Sequence, residues 1–242
     1  GLAKANKKSS RDAKEGAVGF YKNEKITVIL KINSETDFSA KGDTFLDFMD
    51  FIGNLALNQN NPDLTLDNFL NLEENNKKIE DLLNEMIAKI GENLIIKNLN
   101  IYDNKNLNVT YYIHNPYREN IGKIVSAIFY ASNDNNNDID VFSKNLCMHI
   151  AASKPEAMDI DSLSSAVIEN EKKIQKEIIL DSGKPSNVVD KILDGKMNKF
   201  YSEVTLLNQK FVMDPDKSIK DVINNFNESN NYELKNYALI TL

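Results

Sequence analysis

Few residues in this chain have side chains suited to chemistry, and their spacing removes most of those. Cys147 and His149 are the one thiol and imidazole that fall close together. Two positions apart on a helix, they would lie about 200° from one another around the axis and could not share a substrate. Cys147 therefore reads as a small packing residue. As the only cysteine it also excludes an internal disulfide framework and a multi-cysteine zinc site. His114 and His149 are the only histidines, which leaves few parts for a triad or a metal centre. Acidic neighbours such as Asp159 with Asp161, or Glu73 with Glu74, carry no sign of burial, and solvated helix starts explain them. The nine glycines are scattered and form no phosphate-binding loop. The expectation is a protein that is not an enzyme and needs no metal or cofactor.

What remains is the segment around Asp37 and Phe38. The β-branched run Lys25 to Leu30 should form a buried strand, and Gly42-Asp43 reads as a turn into a helix with Asp43 as its cap. An acidic residue beside a large aromatic is thus held at a corner between two rigid elements. That pair makes a poor active site and a good wedge. The other reading has Phe38 closing the end of the hairpin as a core aromatic, with Asp37 capping the turn. His114 ends an aromatic strand before Asn115-Pro116, a similar corner where a structural or solvent-facing histidine is the plainer reading.

The elements that would position these residues follow from periodicity. Residues 1–15 form a basic arm or linker, solvated or a frayed helix. A hairpin over 17–33 precedes a helix with Phe45, Phe48, Met49, Ile52 and Leu55 on one face. Pro62 to Asn76 is polar and turn-rich. Ile79, Leu82, Leu83, Met86, Ile87 and Ile90 then make an amphipathic stripe that Gly91 stops, and a strand follows over 94–102. The order repeats, with a hairpin over 109–130, a helix over 140–152, and a late helix and strand over 219–242. Two stretches of three-to-four spacing, Leu163 to Ile178 and Val189 to Val204, flank Ser182-Gly183-Lys184-Pro185 and read as a protruding antiparallel helical hairpin. The expected fold is α+β, with two related subdomains built on small antiparallel sheets. The divisions are 1–15 as arm, 16–104 as the first subdomain, 105–158 with 205–242 as the second, and 159–204 as the helical insertion.

At 242 residues, 41% hydrophobic and 27% charged, the chain can bury a core. A net charge of -7 disfavours direct nucleic-acid binding. No apolar run approaches the roughly 18 to 20 residues needed to span a bilayer, so no membrane role is expected. The start at Gly1, without Met, suggests a processed or truncated product.

Several ordered segments resemble the elongation factor Ts family. They are Gly1-Leu2-Ala3-Lys4-Ala5 with Asp12-Ala13-Lys14-Glu15-Gly16, Thr36-Asp37-Phe38, Ile87-Ala88-Lys89-Ile90-Gly91-Glu92-Asn93, Met148-His149-Ile150-Ala151-Ala152-Ser153-Lys154-Pro155, Ser182-Gly183-Lys184-Pro185, Phe200-Tyr201-Ser202-Glu203-Val204 and Asn208 to Pro215. The resemblance implies a cytoplasmic translation factor that exchanges guanine nucleotide on elongation factor Tu. It places a nucleotide-release wedge on Asp37 and Phe38, and supporting partner contacts on Thr36, Ile90, Gly91, His114, Val212 and Met213. It also implies that the helical hairpin can serve a homodimer or a further protein contact. A binding or assembly module of the same fold that does not exchange is the alternative, and a hydrolase lacks a nucleophile and base. The family usually has Val where Ser39 stands and often Cys where Ser34 stands, changes expected to loosen packing beneath the wedge. Its N-terminal helical module, used to hold the partner, would precede Gly1.

Overall fold

The computed structural model describes all residues from Gly1 to Leu242. It divides into two compact units, Gly1–Phe129 with Ala238–Leu242, and Tyr130–Tyr237. The architecture is α+β, as the alternating periods predict.

In the first unit, helix α1 (Leu2–Lys8) leads into the antiparallel hairpin β1 (Glu15–Lys22) and β2 (Ile26–Ser34). The N-terminal segment is more than a solvated arm. Ala5 is small enough to pack into the core, and α1 lies on a later helix. A one-turn helix α2 (Asp37–Ala40) follows, then the long helix α3 (Asp43–Asn58), α4 (Leu66–Leu70), the paired dipeptides β3 (Glu73–Glu74) and β4 (Lys77–Lys78), helix α5 (Ile79–Ile90) and strand β5 (Ile95–Asp103). The cap of α3 is Gly42, with no side-chain cap bond, and Asp43 instead occupies the first turn, where its charge still suits the helix dipole. The stretch read as polar turns holds α4 because Thr65 caps it and Phe69 is fully buried. Strands β6 (Asn108–Arg118) and β7 (Ile121–Ser132) form the second hairpin.

Strands β1 and β2 are buried along nearly their whole length. Alternation still sorts their side chains onto two faces. Val28, Leu30 and Ile32 join Phe45, Met49 and Ile52 of α3 on one side. Ile29, Val18 and Phe20 join Ile113, Val125 and Phe129 of the second hairpin on the other, where Phe20 and Tyr111 stack with centroids 4.1 Å apart. A sheet covered on both faces reads as a continuous apolar run, and it gives residues 35–42 a rigid base. β2 pairs with β5, and β1 touches β7 through Val18↔Gly122 and Gly19↔Ile121.

The second unit carries α6 (Asn137–Ser153), the antiparallel helices α7 (Ser165–Asp181) and α8 (Ser186–Val204), the small hairpin β8 (Lys210–Phe211) and β9 (Asp214–Ser218), and α9 (Ile219–Asn227). Strand β10 (Tyr232–Thr241) neighbours β7. Helices α7 and α8 pack together, with 17 and 19 residues, or about 26 and 29 Å. Gly183 turns the chain between them at φ +75°. An aromatic group of Phe142, Phe226, Tyr130 and Tyr232 fills the base of this unit.

Candidate functional site

The corner after β2 is built from short local bonds. The buried Ser34 hydroxyl donates to the Thr36 carbonyl at 2.8 Å. Thr36 is extended, at φ -123° and ψ 152°, and its Oγ1 accepts the Ser39 N–H, so Thr36 is the cap of α2. Ala40 is the buried residue of that turn, and it pins α2 against the sheet. Asp37 and Phe38 point outward, and Phe38 is 86% exposed. The reading of Phe38 as a core aromatic with Asp37 as cap therefore fails, because a one-turn helix has one inward position and Ala40 takes it. At the two serines where the family often has Cys and usually has Val, Ser34 closes the turn and Ser39 donates to Glu92 at 2.5 Å, so each hydroxyl finds a partner.

Asp37 pairs with Lys41 one turn on, at 3.2 Å. The hydrogen bond and charge of that ammonium hold its carboxyl below the usual range. Lys41 also stands 5.8 Å from the centre of the Tyr117 ring. Beside the corner lies an open cleft of about 510 Å³, lined by Phe38, Lys41, Thr44, Phe45, Lys89 and Ile90 among others. Ile90 is thus brought to the same surface as Phe38. Gly91 ends α5 in the left-handed region at φ +86°, where a Cβ would meet open space, so its backbone conformation is what calls for glycine. His114 is exposed, with Nδ1 3.1 Å from the Tyr112 hydroxyl. A second cleft, lined by Asn115, Pro116, Tyr117, Lys123 and again Lys41, adjoins it. Lys41 therefore borders both clefts.

Val212 and Met213 belong to the second unit, exposed at the tip of the β8–β9 hairpin. A buried network holds that tip. The Val212 N–H donates to His149 Nδ1 at 3.2 Å, so the other ring nitrogen carries the proton and donates to Gln209 Oε1 at 2.9 Å. The Gln209 amide donates in turn to the Glu203 and Ser153 carbonyls. Burial lowers the His149 pKa against the opposing effect of the Gln209 bond, keeping the ring neutral. The geometric argument that Cys147 and His149 do not share a site agrees with their separate environments: Cys147 is fully buried and His149 turns to the β8–β9 hairpin. The roles of Glu92, His149 and Gln209 leave no local signature in the sequence, because the partners that define them lie far along the chain, whereas the Asp37–Lys41 pair at i,i+4 is a local signal.

A solvent-facing aromatic on a rigid corner, flanked by an acidic residue and an open cleft, marks the candidate contact surface of this α+β chain. The comparisons with known proteins place the chain in a family. The family model described as Elongation factor TS matches residues 35–242. Elongation factor Ts of Ehrlichia ruminantium (strain Welgevonden) is 37% identical over 225 residues, covering 92% of this chain and 77% of that protein. The same factor of Rhizobium meliloti (strain 1021) is 34% identical over 92% of this chain and 72% of its own, and that of Rickettsia africae (strain ESF-5) 35% identical over 97% and 75%. The chain belongs to the elongation factor Ts family and is a translation elongation factor. No helix is long and apolar enough to cross a membrane.

Proposed function

We propose that this chain is a guanine nucleotide exchange factor that promotes GDP release from elongation factor Tu in the cytoplasm, without covalent chemistry of its own. The observation that carries the reading is Phe38, 86% exposed at a capped, sheet-anchored corner beside Asp37. Phe38 is the most exposed large apolar side chain of the chain and borders an open cleft with Ile90, and insertion into a partner would bury it as an aromatic anchor. A G protein holds its nucleotide through phosphate contacts and magnesium coordination. Phe38 wedges behind those elements, and Asp37 brings negative charge to where phosphate and magnesium are balanced. Thr36 shapes the wedge, Ile90, Gly91 and His114 widen the contact, and Val212 with Met213 meet another part of the partner. By linkage, nucleotide weakens the factor by the ratio in which the factor weakens nucleotide. The division of the chain into repeated subdomains at 16–104 and 105–158 with 205–242, and the use of the α7–α8 hairpin for a further protein contact, belong to the same proposal.

The test is release of a fluorescent GDP analogue from elongation factor Tu by the chain and by Phe38→Ala. Truncating a buried interface aromatic costs about 2 kcal/mol or more, so the variant should be slower by about thirtyfold. Its stability should stay within about 0.5 kcal/mol, since the residue is exposed. Binding without acceleration by the wild-type chain would instead establish a non-exchanging module of this fold.

A further inference from the structure

Glu92 stands directly after Ile90 and Gly91, in the turn between α5 and β5. Its carboxylate receives four hydrogen bonds from one distant segment. Oε2 accepts the Glu35 and Thr36 amides, each at 3.0 Å, and Oε1 accepts the hydroxyls of Thr36 at 2.6 Å and Ser39 at 2.5 Å. The donors sit on both sides of Asp37 and Phe38. The clip is reciprocal, because Glu35 Oε1 accepts the Asn93 amide at 2.7 Å. Among side chains only an ionised carboxylate offers two oxygens able to accept four donors, and a glutamine would turn its NH2 toward two of them. Partial burial opposes the charge on Glu92, and the bonds from Ser39, Thr36 and Glu35 outweigh it.

We infer that Glu92 is the positioning residue of the exchange surface, fixing the Thr36–Ser39 turn and tying it to Ile90 and Gly91 so that wedge and flank present as one body. The inference rests on the exchange reading above. Phe38 has almost no packing to hold it, so its direction depends on the backbone beneath. A wedge ordered before contact spares the entropy of ordering during it. Ala40, Ile87 and Leu94 anchor the neighbouring elements in the core independently of these bonds. Glu92 acts through the turn and need not touch the partner.

The test measures the maximal rate of GDP release and the half-saturating factor concentration for wild type, Glu92→Gln, Phe38→Ala and the double variant. Glu92→Gln is expected to lower the maximal rate about tenfold, and in the Phe38→Ala background by less than about twofold, since coupled residues are not additive. A purely structural loss would reduce both backgrounds by one factor and would overturn the inference. Ser39→Ala, which removes one of the four bonds, should cost about threefold, and it serves if Glu92→Gln does not fold. Backbone relaxation of residues 36–39 gives a readout that needs no partner. Order parameters are expected to drop from about 0.85 toward 0.6 in Glu92→Gln, and an unchanged turn would refute the positioning role. A wild-type chain that fails to release GDP would defeat the exchange reading, and the positioning claim for exchange with it, whereas an active wild type unaffected by these changes would defeat the positioning claim alone.

Discussion

Replacing His149 by alanine would free the tip that carries Val212 and Met213, and the structure sets the size of the effect. The ring is fully buried and bridges the Val212 amide and the Gln209 side chain. Without it Gln209 Oε1 is left buried without its partner, which costs about 1 to 3 kcal/mol. The Val212 amide sits on an exposed residue, so water can recover part of its bond, and we assign it about 1 kcal/mol. The expected loss is about 3 kcal/mol, read as a lower urea midpoint with an unchanged m value. Amide exchange should localise it, with Val212 and its neighbours losing protection while β1 and β2 keep theirs. Acid should imitate the variant. The His149 pKa is lowered in the fold, so its contribution is present above the ordinary histidine range and is lost as pH falls through the lowered value. A protonated ring cannot accept from Val212. If His149→Ala left the midpoint and the Val212 exchange rate unchanged, the network would not be what holds the tip.

Two further predictions concern glycines whose substitution has opposite physical causes. Gly53 lies inside α3, where alanine ordinarily helps a helix by about 1 kcal/mol, but a Cβ there would fall 2.2 Å from the Tyr21 ring, which Asp50 holds through the phenol at 3.0 Å. Gly53→Ala should therefore destabilise, by about 1 to 3 kcal/mol from overpacking, and a raised melting temperature would refute this. At Gly91 there is room but the backbone is left-handed, so alanine should cost about 1 kcal/mol through strain alone, measurable in the same thermal melts.

The local parts of this protein were legible in its sequence because local rules write them. The two hairpins, the stripe of α5 ending at Gly91, the α7–α8 pair around Gly183 and the corner at Thr36 all follow from side-chain period and turn chemistry over a few residues. So did the weakness of any catalytic reading, since types and spacing alone separate Cys147 from His149. Those rules do not say which segments meet. Whether Phe38 turned inward or outward depended on Ala40 filling the one inward place on α2. That Glu92 gathers the turn 56 residues earlier, and that His149 holds Val212 63 residues later, required the sheet and helices to close first. Hydrogen bonds between distant segments have no periodicity, so only the tertiary structure could decide them.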